Sequence, residues 1–330
     1  MSIEYILFPD CQLVKGFRKC AVCDLARNKI LFIPNSLYDI LSEYNGFPLS
    51  HLKEIYPGEE DTLDEYLEFL ILHEFVYKSK YDLPFDVISS EFKTSSLINN
   101  AIIDVSIGSN HDFEKLVSEI DKAGCSSVLI RFYSLNSINE ISRILSFFEI
   151  SDIIIDINIM LPYLKGNSKV IKKIIARDTQ ISHVAIFSSP YNKLSEFRDV
   201  TIHYLKQKIY DQTYCGNIGC KNFSVNMKMY LESKNYNNCL YKKLSVDTHG
   251  NIKNCPSCEK SFGLLDEVSF SDILSNPEFT KLWYIKKDDI EVCKDCECRY
   301  VCLDCRVYRC DPDNIYSKPL KCKYNPYEKN

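Results

Sequence analysis

No apolar run in the sequence approaches the ~18 residues that a membrane span requires. Its ten glycines build no phosphate-cradling loop, so a bound nucleotide is not expected in this chain. Its six histidines stand singly, which excludes the paired-histidine helix of a metalloprotease. Basic excess is absent as well. The net charge is −5, so no global positive field draws the chain to nucleic acid. The first ten residues carry neither a basic segment nor a sustained apolar core, so no secretory signal is expected and a cytoplasmic location is. At 330 residues the chain is long enough for two or three domains.

Residues 1–80 read as one small unit. Ile3–Leu7, Gly16–Asp24 and Lys29–Ile33 are β-prone runs. Three helices follow: one capped by Asn35 or Ser36, one over 49–56, and one opened by the capping box Thr62-Leu-Asp-Glu65. A strand hairpin plus three helices is a winged-helix-like order. Residues 81–98 are polar and predict a linker. From 99 to 209 the rhythm changes. Ile/Val-rich strands at 101–107, 127–133, 152–160, 183–188 and 200–205 alternate with helices at 111–122, 138–148, 168–176 and 193–198. Such βα units predict a parallel sheet, and five of them make a partial barrel rather than a closed one.

Beyond residue 210 cysteine replaces the apolar rhythm. Twelve of the 16 cysteines lie between Cys215 and Cys322. In a long chain expected to stay in a reducing compartment, that density predicts metal ligation rather than disulfides. Cys239 and Cys255 flank a predicted β-hairpin: strand 243–247, turn Thr248-His-Gly250 and return strand 251–254. A hairpin brings its ends together, so both thiols can reach one centre. Cys293-x2-Cys296 is followed by Cys298, Cys302, Cys305, Cys310 and Cys322. Two cysteines two residues apart let adjacent thiolates grip one centre while loop amides face sulfur. Zinc sites show clean pairs or Cys/His mixtures, and the uneven spacing here favours iron–sulfur clusters.

These residues resemble the SPASM domain, the auxiliary-cluster module of many radical S-adenosylmethionine peptide-modifying enzymes. The family pattern is C-x9–15-G-x4-C, then C-x2-C-x5-C-x3-C, then a last Cys. The chain reads Cys239-x10-Gly250-x4-Cys255, then Cys293-x2-Cys296-x5-Cys302-x2-Cys305, then Cys322, with one gap a residue short. Over its full length it is similar to the grasp-with-spasm maturases, through Asn110–Glu114, Ser224–Lys228 and Ser317–Pro326. The resemblance implies an α/β fold: an N-terminal PqqD-like peptide-recognition unit, a degenerate partial (βα) barrel of radical SAM type, and a SPASM domain over 210–330. It implies two 4Fe–4S clusters. A distal one would use Cys293, Cys296, Cys302 and Cys322. A proximal one would use Cys239, Cys255 and Cys305 with a fourth ligand among Cys215, Cys220 and Cys258, Cys215 being favoured. Cys298 and Cys310 have no family role.

The radical enzymes carry C-x3-C-x2-C after the first barrel strand and Gly-Gly-Glu after the second. Here those places read Gly108-Ser-Asn-His-Asp112 and Ile130-Arg-Phe-Tyr-Ser134. On that ground no S-adenosylmethionine is expected. The expected function is an iron–sulfur peptide-maturation protein that binds a precursor peptide and acts with an ATP-grasp ligase. The precursor would add a strand beside Lys29–Ile33, with Leu31, Ile33, Leu67 and Leu70 at the groove. Two alternatives stand beside it: an Fe–S oxidoreductase working through an open-site auxiliary cluster, and a zinc-binding interaction module.

Overall fold

A computed structural model describes residues 4–79, 88–166, 168–178 and 180–329. Part of the expected linker, 81–87, and Ile3 of the first expected strand therefore lie outside the described residues. The chain divides into two units. The first takes in Met1–Phe92, Asn217–Asn238 and Ile285–Asn330, and the second Lys93–Gly216 and Cys239–Tyr284.

The first unit opens with β1 (Glu4–Leu7), β2 (Cys11–Val14), β3 (Cys20–Asp24) and β4 (Lys29–Ile33). Three helices follow: α1 (Asn35–Glu43), α2 (Leu49–Ile55) and α3 (Glu60–Leu72). Then comes β5 (Val76–Ser79), antiparallel to β1. Strands β2, β3 and β4 form an antiparallel sheet with β3 in the middle. Every residue of β3 is buried, so both of its faces are covered. The period of two sorts them. Cys20 and Val22 join Ile33, Leu37, Leu41 and Leu70 in one core. Ala21 and Cys23 enter a second core with Tyr230, Cys298 and Val301. Cys20 and Cys23 thus point to opposite faces and cannot share a metal, although their spacing in sequence would suit one. Burial pushes the Cys23 thiol up to about 12.

Helix α3 starts two residues before the expected capping box. Glu60 and Asp61 fill its first turn, where acidic side chains complement the helix dipole, and Thr62 lies inside the helix, bonded back to Glu59. Between β2 and β3 the chain turns at Gly16. A Cβ there would stand 2.3 Å from the Lys19 carbonyl oxygen and 2.8 Å from Glu297 Cβ. Backbone cannot yield to it cheaply. Gly16→Ala is expected to lose about 3 kcal/mol in urea unfolding by overpacking, and a loss below about 0.5 kcal/mol would show that the turn adapts.

The second unit is built on an eight-stranded sheet in the order β10-β11-β9-β8-β7-β6-β12-β13. In chain order its elements are β6 (Asn100–Val105), α4 (Phe113–Lys122), β7 (Ser127–Phe132), α5 (Asn139–Phe148), β8 (Asp156–Pro162) and α6 (Ser168–Arg177). Then come β9 (Ile181–Phe187), β10 (Lys193–Phe197), β11 (Val200–Tyr204), β12 (Lys243–Val246) and β13 (Ile252–Lys253). The six strands from β11 to β12 are parallel, as the βα rhythm predicts, and β10 and β13 add antiparallel edges. Residues 193–198 are therefore not a helix. Arg198 takes a left-handed turn with φ 53° and folds Lys193–Phe197 back on β11, and that pairing outweighs local propensity. Strand β12 lies parallel to β6, with Lys243 opposite Asn100. The hairpin that joins two cysteines is thus part of the large sheet. Asp112 caps α4 by accepting from the Lys115 amide at 2.9 Å, which accounts for the aspartate in the loop after β6.

Strands β6, β7 and β8 share one burial pattern: alternating at the amino end, continuously buried toward the carboxyl end. Tyr133, Met160, Phe187 and Ile209 cover the sheet there, with Tyr214 packed against them. Among the described residues, no helix is long and apolar enough to cross a membrane.

Candidate iron–sulfur centres

The thiols of the C-terminal half fall into one group in each unit. The first unit holds Cys293, Cys296, Cys302, Cys305 and Cys322. Regular structure is sparse around them, so turns and polar side chains fix the loop. Val292 adopts φ +67°, a costly conformation for a β-branched residue. It forms the centre of a tight turn closed by the Cys293 amide on the Glu291 carbonyl at 2.7 Å. The Cys296 amide then donates to the Cys293 carbonyl at 3.0 Å, which sets the two thiols on one turn. Asn238 pins the next stretch: its Nδ2 donates to the Cys302 carbonyl at 2.9 Å, and its Oδ1 accepts from the Asp304 amide at 2.9 Å.

Beneath this loop lies a buried ionic network. Asp304 accepts from Arg306 Nη2 at 2.7 Å and from Asn237 Nδ2 at 2.5 Å. Lys287 Nζ donates to the Leu303 carbonyl at 2.9 Å and stands 3.8 Å from Asp304. Burial opposes its charge, but Asp304, Cys293 and Cys302 around it raise Lys287 above the ordinary lysine range. Burial pushes the Cys293 thiol up to about 12 and the Cys302 thiol to about 11, against the pull of Lys287. Cys293 and Cys302 each also feel the charges of Cys296 and Cys322, so these four thiols form one electrostatic neighbourhood. Cys298 packs in the core with Cys23 and Tyr230 while its thiol is hydrogen-bonded to that of Cys296, and Cys310 is exposed.

The second unit holds Cys215, Cys239, Cys255 and Cys258. Strands β12 and β13 form the hairpin read from the sequence, with Ser245 opposite Lys253 and Val246 opposite Ile252. Gly250 sits in the turn at φ +82°, where glycine alone is unstrained. Asn254 Nδ2 donates to the Lys243 carbonyl at 2.7 Å and extends the pairing to the residue before Cys255. Lys243 Nζ lies 3.9 Å from Cys239 Sγ, and its charge also acts on Cys255. A hydrogen bond with Cys258, helped by burial, raises the Cys255 thiol well above its ordinary value. Ser257 Oγ donates to the Gln212 carbonyl at 3.2 Å, which ties this turn to the segment leading into Cys215. Cys215 Sγ accepts from Arg131 Nη1 at 3.2 Å.

The hairpin turn carries its own titrating group. Asp247 is half-buried, and that desolvation alone would raise it. Lys253 Nζ at 2.9 Å and the amides of Asn251 and His249 at 3.0 Å lower it instead, against the like charge of Asp104. A depressed carboxylate contributes stability above its unfolded value and loses it as pH falls through the folded one. Asp247→Asn is therefore expected to cost about 1–2 kcal/mol at neutral pH. The gap between variant and parent should close below about pH 4. Urea unfolding at several pH values measures it, and a pH-independent gap would assign the effect to shape alone.

The donor chemistry fits an anionic cluster. Each group sets thiols beside a cation (Lys287 in one unit, Lys243 and Arg131 in the other) that offsets thiolate charge. Among the described residues, no three His, Cys, Asp or Glu side chains converge as a single ion would require. The groove residues are placed as follows. Ile33 and Leu70 are buried in the core of the first unit, half-buried Leu31 packs against it, and half-buried Leu67 lines a cavity with Leu37, Leu41 and Leu70. Strand β4 pairs only with β3 among the described residues, and Phe32 on it is 45% exposed.

Arg131 and Asp104 escaped the sequence reading. The signal was there: opposite charges in two consecutive Ile/Val-rich strands, which the parallel register sets side by side.

Residues 238–297 match the SPASM family, an iron–sulfur cluster-binding domain. No curated protein sequence matches the chain. Two solved structures from Streptococcus suis are similar to it. One is SuiB bound to S-adenosylmethionine, with 10% identity over 97% of this chain and 100% of that one, at a TM-score of 0.36. The other is SuiB bound to the precursor peptide SuiA, with 10% identity, the same coverage and a TM-score of 0.35. The expectation that S-adenosylmethionine takes no part is thereby corrected, since one of these similar structures is bound to it.

Proposed function

We propose that this chain is an iron–sulfur protein of ribosomal peptide maturation. In this reading it binds a precursor peptide and acts with an ATP-grasp ligase that closes ester or amide cross-links. The observation that carries it is the match over residues 238–297, a span that contains Cys239, Cys255, Cys293 and Cys296. Support comes from the cation beside each thiol group. Cys293, Cys296, Cys302 and Cys322 would hold one cluster, and Cys239 and Cys255 would anchor another. Such clusters supply electron transfer or a rigid frame for the loops. The edge of β4, which pairs with no strand but β3 among the described residues, suits a peptide that adds a strand, and Phe32 and Leu31 alternate along that edge as side-chain contacts. The work assigned to this chain is to bind and orient the peptide, while the ligase consumes ATP.

The test is iron, sulfide and zinc per chain on protein purified without oxygen. Peptides encoded beside the gene are then added with the neighbouring ligase and ATP, with and without S-adenosylmethionine. The expected result is iron and sulfide in equal amounts, and a peptide that loses one water per cross-link only when both proteins are present. Zinc without sulfide, or full cross-linking by the ligase alone, would overturn the proposal.

A further inference from the structure

At the carboxyl ends of β6 and β7, Asp104 and Arg131 form a buried ion pair, each side chain about 1% exposed. Arg131 Nε and Nη2 donate to the two carboxylate oxygens of Asp104 at 2.6 and 2.7 Å. Tyr133 Oη also donates to this carboxylate, at 3.3 Å, and the Asp104 carbonyl accepts from His111 Nε2 at 2.8 Å. The carboxylate therefore occupies one edge of the guanidinium and leaves Nη1 over. That nitrogen reaches Cys215 Sγ at 3.2 Å and Tyr214 Oη at 3.4 Å. A buried ion pair adds little stability by itself, because desolvation offsets its attraction. Here it does something directional: it fixes a rigid, permanently charged donor against one sulfur.

We infer that Cys215 is a ligand of the cluster anchored by Cys239 and Cys255, and that Arg131, held by Asp104, is the positioning residue that presents its sulfur and tunes the cluster. The inference rests on the iron–sulfur reading above and deepens it. The competing cysteines are placed differently. Cys220 is exposed, and Cys258 shares its hydrogen bond with Cys255. The Ser257 bond to Gln212 sets the Cys255 turn against the segment that carries Cys215. A charge-assisted donor on a ligating sulfur stabilises the reduced, more negative cluster and so raises its potential. Tyr133 and Tyr214, with Met160 and Phe187, keep this end of the sheet apolar, where such a bond has most effect.

The experiment is a dithionite titration of the anaerobically purified full chain, followed by electron paramagnetic resonance, with iron counted per chain. Cys215→Ser should lose iron and one of the reduced-cluster signals, while Cys220→Ser and Cys258→Ser keep both. Arg131→Gln should move the midpoint of that same signal to more negative potential and leave the other signal in place. Arg131→Lys, which keeps the charge without the planar fork, should fall between. Should Arg131→Gln fail to fold, Cys215→Ser decides, because its hydroxyl still accepts from Arg131. A Cys215→Ser protein with parental iron and potentials overturns the inference, as does a folded Arg131→Gln with unshifted midpoints. Parent protein without iron would overturn the functional reading and this inference with it.

Discussion

Asp304→Ala is expected to cost about 3–5 kcal/mol in urea unfolding and to strip iron from the Cys293 group. The carboxylate is about 2% exposed and is the common partner of two buried cations. The Arg306 side chain is fully buried and that of Lys287 nearly so. Removing Asp304 leaves both charges in low dielectric without their carboxylate: Arg306 keeps the Ile315 and Ser317 carbonyls, and Lys287 keeps the Leu303 carbonyl and the neighbouring Cys293 and Cys302 thiols. It also takes one acceptor from Asn237 Nδ2, which keeps the Ile285 carbonyl at 3.0 Å, and removes the carboxylate that accepts from the Cys305 amide. The backbone that carries Cys302, Leu303 and Asp304 then loses its floor. Asp304→Asn keeps the shape and some hydrogen bonds, so its cost should be smaller. Equal losses in the two variants would mean that geometry, not charge, holds the loop.

Removing the clusters should lower the unfolding free energy by at least about 5 kcal/mol, on the order of 10 °C or more in melting temperature. The reason lies in the local structure of residues 285–329. Among the described residues this segment has no α-helix and no named strand, only 3-10 turns and one isolated bridge between Arg309 and Pro319. Few repeating backbone bonds hold it, so ligation supplies folding energy that secondary structure does not. Chelation under anaerobic conditions, followed by limited proteolysis, is the measurement. The first cuts are expected within 285–329 and the last within the parallel sheet. Identical melting curves with and without iron would show that the clusters are passengers in a self-sufficient fold.

Much of this architecture was written in the apolar rhythm. The parallel strands from β6 to β9 and β11, and the hairpin between Cys239 and Cys255, follow from buried Ile/Val runs and a turn glycine. What stayed illegible has physical causes. Strand β10 alternates exposed residues with half-buried ones, so only its pairing with β11 makes it a strand. Strand β12 is four residues long and comes without a βα unit of its own, yet register with β6 makes it part of the sheet. Cys20 and Cys23 look like a ligand pair until the period of a strand sends them to different cores. At the metal centres, spacing in sequence picks out candidate cysteines. The cations beside them come from distant positions, Arg131, Lys243 and Lys287, and only folding brings them there.

The double-sided burial of β3 bears on how this protein is made. Its second core joins Ala21 and Cys23 to Val225 and Tyr230, and then to Cys298, Tyr300 and Val301. A ribosome delivers these residues in that order, so one face of the N-terminal sheet stays incompletely covered until residue 301 has emerged. Contacts of such long sequence separation form slowly and leave apolar surface open in the meantime. The first unit therefore completes its folding late in synthesis. Any cluster seated on Cys293, Cys296, Cys302 and Cys322 is installed after translation of that segment, into a protein whose second unit has already had time to fold.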